Sequence, residues 1–146
     1  MLRTVLLIIM FSLLCCPALS EEIKRSDGCR CNPELVGACF TVHGRLSPSN
    51  GTPSLRIWII GSKRILGVIP SEDEIVPPTL MAHLRFGTSI YGDFTVCPFT
   101  ESKPGEMQMV CIEEAKNLVV ESYVEGEKNP RIYKIKDAGP LGCPAK

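Results

Sequence analysis

Eight cysteines punctuate a chain of 146 residues, and their placement constrains the fold more than any other feature. Cys15 and Cys16 sit in an apolar run, Val5 to Cys16, that follows Arg3, is interrupted only by Ser12 and leads into Pro17-Ala18-Leu19-Ser20. A short basic start, an apolar centre and small residues at the third and first positions before a cut give residues 1–20 the form of a secretory signal peptide. The run is shorter than the roughly 18 to 20 apolar residues that span a bilayer. A lipidated Cys15 or Cys16 is the rival reading, but Leu14 stands where a small residue belongs. Cleavage after Ser20 leaves six of the eight cysteines: Cys29, Cys31, Cys39, Cys97, Cys111 and Cys143. An even number behind an export signal reads as three disulfides in an oxidising, extracellular or periplasmic compartment.

Spacing suggests one of the pairs. Cys97 and Cys111 are placed symmetrically about the turn Lys103-Pro104-Gly105-Glu106, so a hairpin sets them opposite one another and predicts a cross-strand Cys97–Cys111 bridge. The remaining four, Cys29, Cys31, Cys39 and Cys143, can pair in three ways. Cys29 with Cys31 is disfavoured because a one-residue spacer strains the bridge. One of the other pairings ties the C-terminal tail to the body.

Periodicity divides the chain into an irregular, cysteine-bearing lead-in over 21–37 and one domain over 38–146. Cys39 to Leu46 alternates, as does Leu55 to Ile60, with the turn formers Ser47 to Pro53 between them, and this pattern predicts a hairpin. Burial fixes its register: with Phe40, Val42 and Leu46 facing the core, the partner strand turns Leu55, Ile57 and Ile59 the same way. Further strands are predicted at Arg64–Ile69, Ser89–Phe99, Gln108–Ile112, Leu118–Val124 and Arg131–Ile135. Pro70 to Pro78 reads as an acidic loop, and Thr79 as the cap of a short helix running through Arg85 to a stop at Gly87. Six or seven short strands with one short helix predict a mainly β protein, a small antiparallel sandwich or an OB-like barrel stabilised by disulfides.

The 16 basic and 16 acidic residues balance and intersperse, which argues against a nucleic-acid partner. Catalytic motifs are lacking: the sequence has no Gly-x-Ser-x-Gly, no His-Glu-x-x-His and no phosphate-cradling glycine loop. The adjacent acids Glu113-Glu114 point to opposite faces of a strand, and oxidised cysteines are not nucleophiles. The expectation is therefore a protein without a catalytic centre. Metal is considered at Cys29, Cys31, Cys39 and His43, and soft copper(I) ligation at Met107, Met109 and Cys111. Neither set has the paired spacing of a zinc site, and alternating methionines more commonly fill a core, so no metal or cofactor is expected.

The candidate site is the polar side of the first hairpin. His43, Arg45, Arg56 and Trp58 gather there into a cationic and aromatic patch suited to a protein hot spot, a carboxylate or an anionic glycan. The competing reading is ordinary packing, with a second sheet laid over Trp58 and Ile60. His83 reads as a packing or surface histidine. Asn50-Gly51-Thr52 has the form of a glycosylation acceptor at the hairpin tip in a eukaryotic source, and of a turn otherwise.

Two resemblances are carried by specific segments. Cys39-Phe40-Thr41-Val42-His43-Gly44-Arg45-Leu46, Arg56-Ile57-Trp58, Arg64-Ile65-Leu66-Gly67-Val68 and Gly92-Asp93-Phe94-Thr95-Val96-Cys97-Pro98 resemble a group of short exported bacterial proteins of unknown function, over most of residues 37–120. Cys29-x-Cys31 followed by Cys39 at the head of a strand is similar to the netrin-like domains of metalloprotease inhibitors. That likeness implies a five-stranded barrel and a secreted inhibitor, which together with the zinc- or copper-handling protein considered from the cysteine, histidine and methionine sets above forms the second functional expectation beside binding. The inhibitors chelate zinc through a cysteine at the mature N-terminus, whereas here Glu21 to Gly28 precede Cys29.

Overall fold

The computed structural model describes residues 28–69, 76–140 and 142–143. The signal-peptide reading of 1–20, the first part of the lead-in and the Ser71 to Glu74 portion of the acidic loop lie outside the described residues. Six strands form one sheet: β1 (Phe40–Pro48), β2 (Leu55–Ile59), β3 (Ile65–Val68), β4 (Thr88–Pro98), β5 (Gln108–Ser122) and β6 (Arg131–Lys134). Their order is β3-β2-β1-β4-β5-β6, and β3 also pairs with β5. That last ladder is parallel, matching Leu66 with Gln108 and Val68 with Val110. It closes the first five strands on themselves in the circular order 1-2-3-5-4. The protein is accordingly a five-stranded OB-like barrel with β6 as an added strand, and the sandwich alternative drops out because one closed sheet takes the place of two packed ones.

The predicted register of the first hairpin holds. Leu46 faces Ile57 and Arg45 faces Trp58, which turns Leu46, Leu55 and Ile57 inward, where all three are buried. With Leu66, Val68, Ile90, Phe94, Val96, Val110, Ile112, Leu118 and Val120 they fill the barrel. Each such side chain contributes about 1.5 to 3 kcal/mol on removal from water. Strands coil tightly enough to close because Gly44 of β1 and Gly92 of β4 are register partners, both buried, where no side chain could be admitted. A Cβ on Gly92 would stand 2.7 Å from the carbonyl oxygen of Lys116.

Two predicted strands, Gln108–Ile112 and Leu118–Val124, prove to be one. β5 runs unbroken through fifteen residues, but its pairing with β4 slips between Thr95 and Val96 and again between Tyr91 and Asp93. The slips shift the inward set from Val110 and Ile112 to Ala115, then to Leu118 and Val120. Asn117, with φ 56°, supplies the left-handed turn of the second bulge. The helix is shorter than predicted, α1 (Pro78–Met81), and begins after Pro77 with no side-chain cap, so Thr79 is not its cap. Pro78 presets the first helical turn, Leu80 is anchored in the core, and the chain leaves the helix well before Gly87.

The described part of the lead-in, a 3-10 turn at Cys29–Cys31 and the stretch to Cys39, lies over the outer side of β4 and β5. The pairs are Cys29–Cys111, Cys31–Cys143 and Cys39–Cys97, which corrects the expected Cys97–Cys111 bridge. The hairpin register was right, since Cys97 and Cys111 do face one another. Cys111 instead reaches Cys29 of the lead-in, which no hydrophobic strand pattern holds in place, and Cys97 reaches Cys39 at the head of β1, next to the Phe40–Val96 pair. Arg30 adds a backbone N–H bond to the Glu113 carboxylate, 2.7 Å, and so satisfies a carboxylate that is otherwise buried. Among the described residues no helix is long and apolar enough to cross a membrane.

Candidate functional site

The outer face of the sheet carries the predicted patch and extends it. Ladder pairing aligns Ile65, Trp58, Arg45, Tyr91, Val119 and Lys134 in one row across all six strands. Inward neighbours Leu46, Ile57 and Ile90 hold these residues outward through the two-residue period of the strands. Arg45 stacks on Trp58, its guanidinium carbon 5.0 Å from the ring centroid. The indole N–H donates to the carbonyl of Ser62 at 2.9 Å, which fixes the ring against the β2–β3 turn. Trp58 is 43% exposed, with Ile60 at 44% and Ile65 at 40% beside it. Among the described residues no second sheet covers them, and the packing alternative fails for Trp58 there.

Arg45 is confined from both sides. Beyond it Tyr91 donates its hydroxyl to Glu121 at 2.8 Å, and Tyr123 donates to the other oxygen of the same carboxylate at 3.2 Å. Burial, then the bond to Glu121, push the Tyr91 hydroxyl pKa above its ordinary value, and Arg45 pulls against that rise. The Nε of Arg45 is the one buried side-chain nitrogen or oxygen without a hydrogen-bond partner among the described residues. The guanidinium is thus stacked on Trp58 on one side, with Tyr91 as its register partner on the other.

His43 and Arg56 flank this row without joining it. His43 lies two residues along β1 on the same face, but its Nδ1 bonds Asp93 at 2.8 Å. Asp93 also accepts from the Asn117 side-chain amide at 2.7 Å. Those two bonds, that of Asn117 foremost, hold the Asp93 carboxyl below its ordinary pKa. Arg56 stands one row away opposite Ser47 and turns its Nε toward the carbonyl of Pro53, 3.3 Å. The surface is thus mixed in sign, with Asp93 and Glu121 beside the cations. Sequence reasoning missed Tyr91, Asp93 and Glu121; alternation along β4 marks the first two as outward, but the β1–β4 pairing that brings them to Arg45 and His43 links strands far apart in the chain.

The remaining candidates disperse. His83 packs edge-on against Tyr133, ring centroids 5.8 Å apart, in keeping with a packing role. Met107 and Met109 lie over Gly67 with Pro53, their sulfurs within 3 Å of where a Cβ would stand, so they fill the space of a missing side chain. The sulfurs of Cys29, Cys97 and Cys111 lie within 4.8 Å of one another, yet all three belong to disulfides and are not thiolates that could ligate a metal. Asn50 is exposed in the β1–β2 connection. No protein-family model, curated protein or solved structure matches this chain.

Proposed function

We propose that this is an exported binding domain, without a catalytic centre, that captures a carboxylate-bearing protein through the outer face of β1 and β2. The observation that carries the reading is the exposed Trp58 with Arg45 fixed across it. Trp and Arg are the residues in which binding energy concentrates, and a rigid pair loses little side-chain entropy on association. Ile60 and Ile65 supply apolar area around the anchor, which favours a protein over a glycan. Export is supported by the signal-like sequence of residues 1–20 and by three disulfides, which persist in oxidising compartments. The test is a screen of the mature protein against extracellular proteins and glycans, repeated with Trp58→Ala and Arg45→Ala. Binding lost in both variants supports the proposal. A ligand bound equally well by Trp58→Ala removes it, and an anionic glycan as the sole ligand assigns the face to the other class.

The second reading is an inhibitor of the netrin-like kind, which the five-stranded barrel and the doubly anchored Cys29-x-Cys31 favour. Zinc chelation through Cys29 meets an obstacle: the cysteine is 1% exposed and the preceding Gly28 amide is bonded to the Gly142 carbonyl at 3.0 Å. Inhibition of a zinc protease by the mature protein decides for this reading, and unaltered protease activity decides against it.

A further inference from the structure

The bridge that fastens the lead-in to the barrel and the one that joins the head of β1 to β4 meet at one point. Cys29 is joined to Cys111 of β5, and Cys39 to Cys97 of β4. Their barrel ends, Cys97 and Cys111, are cross-strand partners, with the Cys111 sulfur 3.5 Å from the Cys97 carbonyl oxygen. Three of the four sulfurs lie within 4.8 Å of one another, so a bond broken in one bridge leaves a sulfur beside the other. Access is unequal. Cys29, Cys97 and Cys111 are buried, whereas Cys39 is half-buried and lines a cavity of about 400 Å³ with Arg30, Leu35, Gly37 and Ala38.

We propose that Cys39 is a thiol–disulfide exchange site for small-molecule thiols, and that attack there re-pairs the buried cluster as Cys97–Cys111 and releases the disulfide between the lead-in and the barrel. An incoming thiolate bonds to the Cys39 sulfur, and the Cys39–Cys97 bond breaks with its electron pair leaving on Cys97. Arg30, at the cavity wall with most of its side chain in water, has its Nε 3.8 Å from the Glu113 carboxylate, so the positive charge it sets beside an incoming thiolate is partly offset. The Cys97 thiolate is generated among Leu35 and Phe99, apolar surroundings that disfavour the charge. It attacks the Cys111 sulfur, the Cys29–Cys111 bond breaks, and Cys29 takes up the proton that the incoming thiol gave up. The number of disulfides is unchanged at this stage, one being the mixed disulfide on Cys39. A second thiol releases Cys39 as a thiol and departs with the first as their disulfide, so two thiols are oxidised and one protein bridge is reduced.

Re-pairing favours Cys111 over Cys29 because the β4–β5 ladder already holds Cys97 and Cys111 at cross-strand distance, while Cys29 is carried on a short 3-10 turn. The outcome is directional. The barrel gains a covalent bond between β4 and β5, the two thiols appear on Cys29 of the lead-in and on Cys39 at the head of β1, and Cys31–Cys143 is left as the one disulfide on the lead-in.

The test is trapping of the full oxidised protein. It is incubated under native conditions with graded reduced glutathione, quenched, alkylated and mapped by peptide mass, with Cys31 and Cys143 scored separately. The expected species has Cys97 linked to Cys111, Cys29 alkylated, and Cys39 glutathionylated or alkylated, and it precedes any species with alkylated Cys97 or Cys111. Release of all four as free thiols together, or a Cys29–Cys97 link, overturns the proposal, as does resistance of Cys39–Cys97 until the chain unfolds. Cys39→Ser gives a second reading without added thiol: it should fold with Cys97 linked to Cys111 and one alkylatable thiol at Cys29. A free Cys97 beside an intact Cys29–Cys111 bridge counts against the inference, and the wild-type trapping stands whether or not this variant folds.

Discussion

Arg45 and Trp58 face each other across β1 and β2 with the guanidinium carbon 5.0 Å from the indole centroid, and the ring beneath is 43% exposed. The pair is therefore poised toward solvent and adds little to the fold. A double-mutant cycle with Arg45→Ala and Trp58→Ala in urea should return a coupling of about 0.5 to 1 kcal/mol, the range for exposed cation–π pairs. Each single variant should lose less than a core truncation such as Phe94→Ala, which costs about 3 to 5 kcal/mol. A coupling near zero would show that the stack is not maintained in solution.

Acid titration should report the second polar cluster. Asp93 has its pKa lowered by the Asn117 amide and then by His43. A carboxylate depressed in the folded state contributes stability that is present above the unfolded value, about 3.9, and is lost as pH falls through the lower folded value. The side chain is 36% exposed, so the contribution is small and is best read at the site. Asn117→Gly keeps the left-handed turn at φ 56° and removes the donor. The Asp93 midpoint followed by NMR should then move up toward the ordinary carboxylate value; an unmoved midpoint means the amide bond does not form.

Much of the scaffold could be read from local pattern, because a two-residue period and a turn cluster act within a few residues of each other. The β1–β2 register, the face bearing Arg45 and Trp58, and the opposition of Cys97 and Cys111 were all of that kind. What the pattern could not carry was pairing between distant strands. Closure through β3 and β5, the placing of Tyr91 beside Arg45, and the Cys29–Cys111 bridge join residues whose separation leaves no local trace. The bulges at Glu113 and Asn117 misled in another way: they shift the phase of alternation, so one long strand has the sequence pattern of two. The separate issue of disulfide partners turned on the lead-in, whose irregular sequence carries no period from which its place could be inferred.

Glycine at the barrel's tightest point should prove irreplaceable. A Cβ at Gly92 would meet Leu118 Cδ2 at 2.6 Å and the Lys116 carbonyl oxygen at 2.7 Å; the leucine can turn aside, but the carbonyl belongs to the bulged strand. Gly92→Ala should cost about 1 to 3 kcal/mol, the usual scale of overpacking. Gly139→Ala, where a Cβ meets nothing within 4 Å, is the control and should lie within about 0.5 kcal/mol of wild type. Equal stability of the two variants in urea would mean that β4 and β5 are farther apart than the structure shows.

The bridge between Cys31 and Cys143 is separate from the sulfur cluster, and its removal should act differently. It joins residues 112 apart in the chain, so its loss returns a long loop's freedom to the unfolded state, and a cost of about 2 to 5 kcal/mol is expected. The double variant Cys31→Ser, Cys143→Ser leaves the barrel core of Phe94, Ile57 and Leu66 untouched and keeps the lead-in held by Cys29–Cys111, Cys39–Cys97 and the Arg30 to Glu113 bond. Its near-ultraviolet circular dichroism should therefore stay native while its urea midpoint falls. The order of the two kinds of loss is what the structure fixes: if removing Cys31 and Cys143 abolishes the native spectrum, the tail is part of the cooperative core and the division between barrel and tether is wrong.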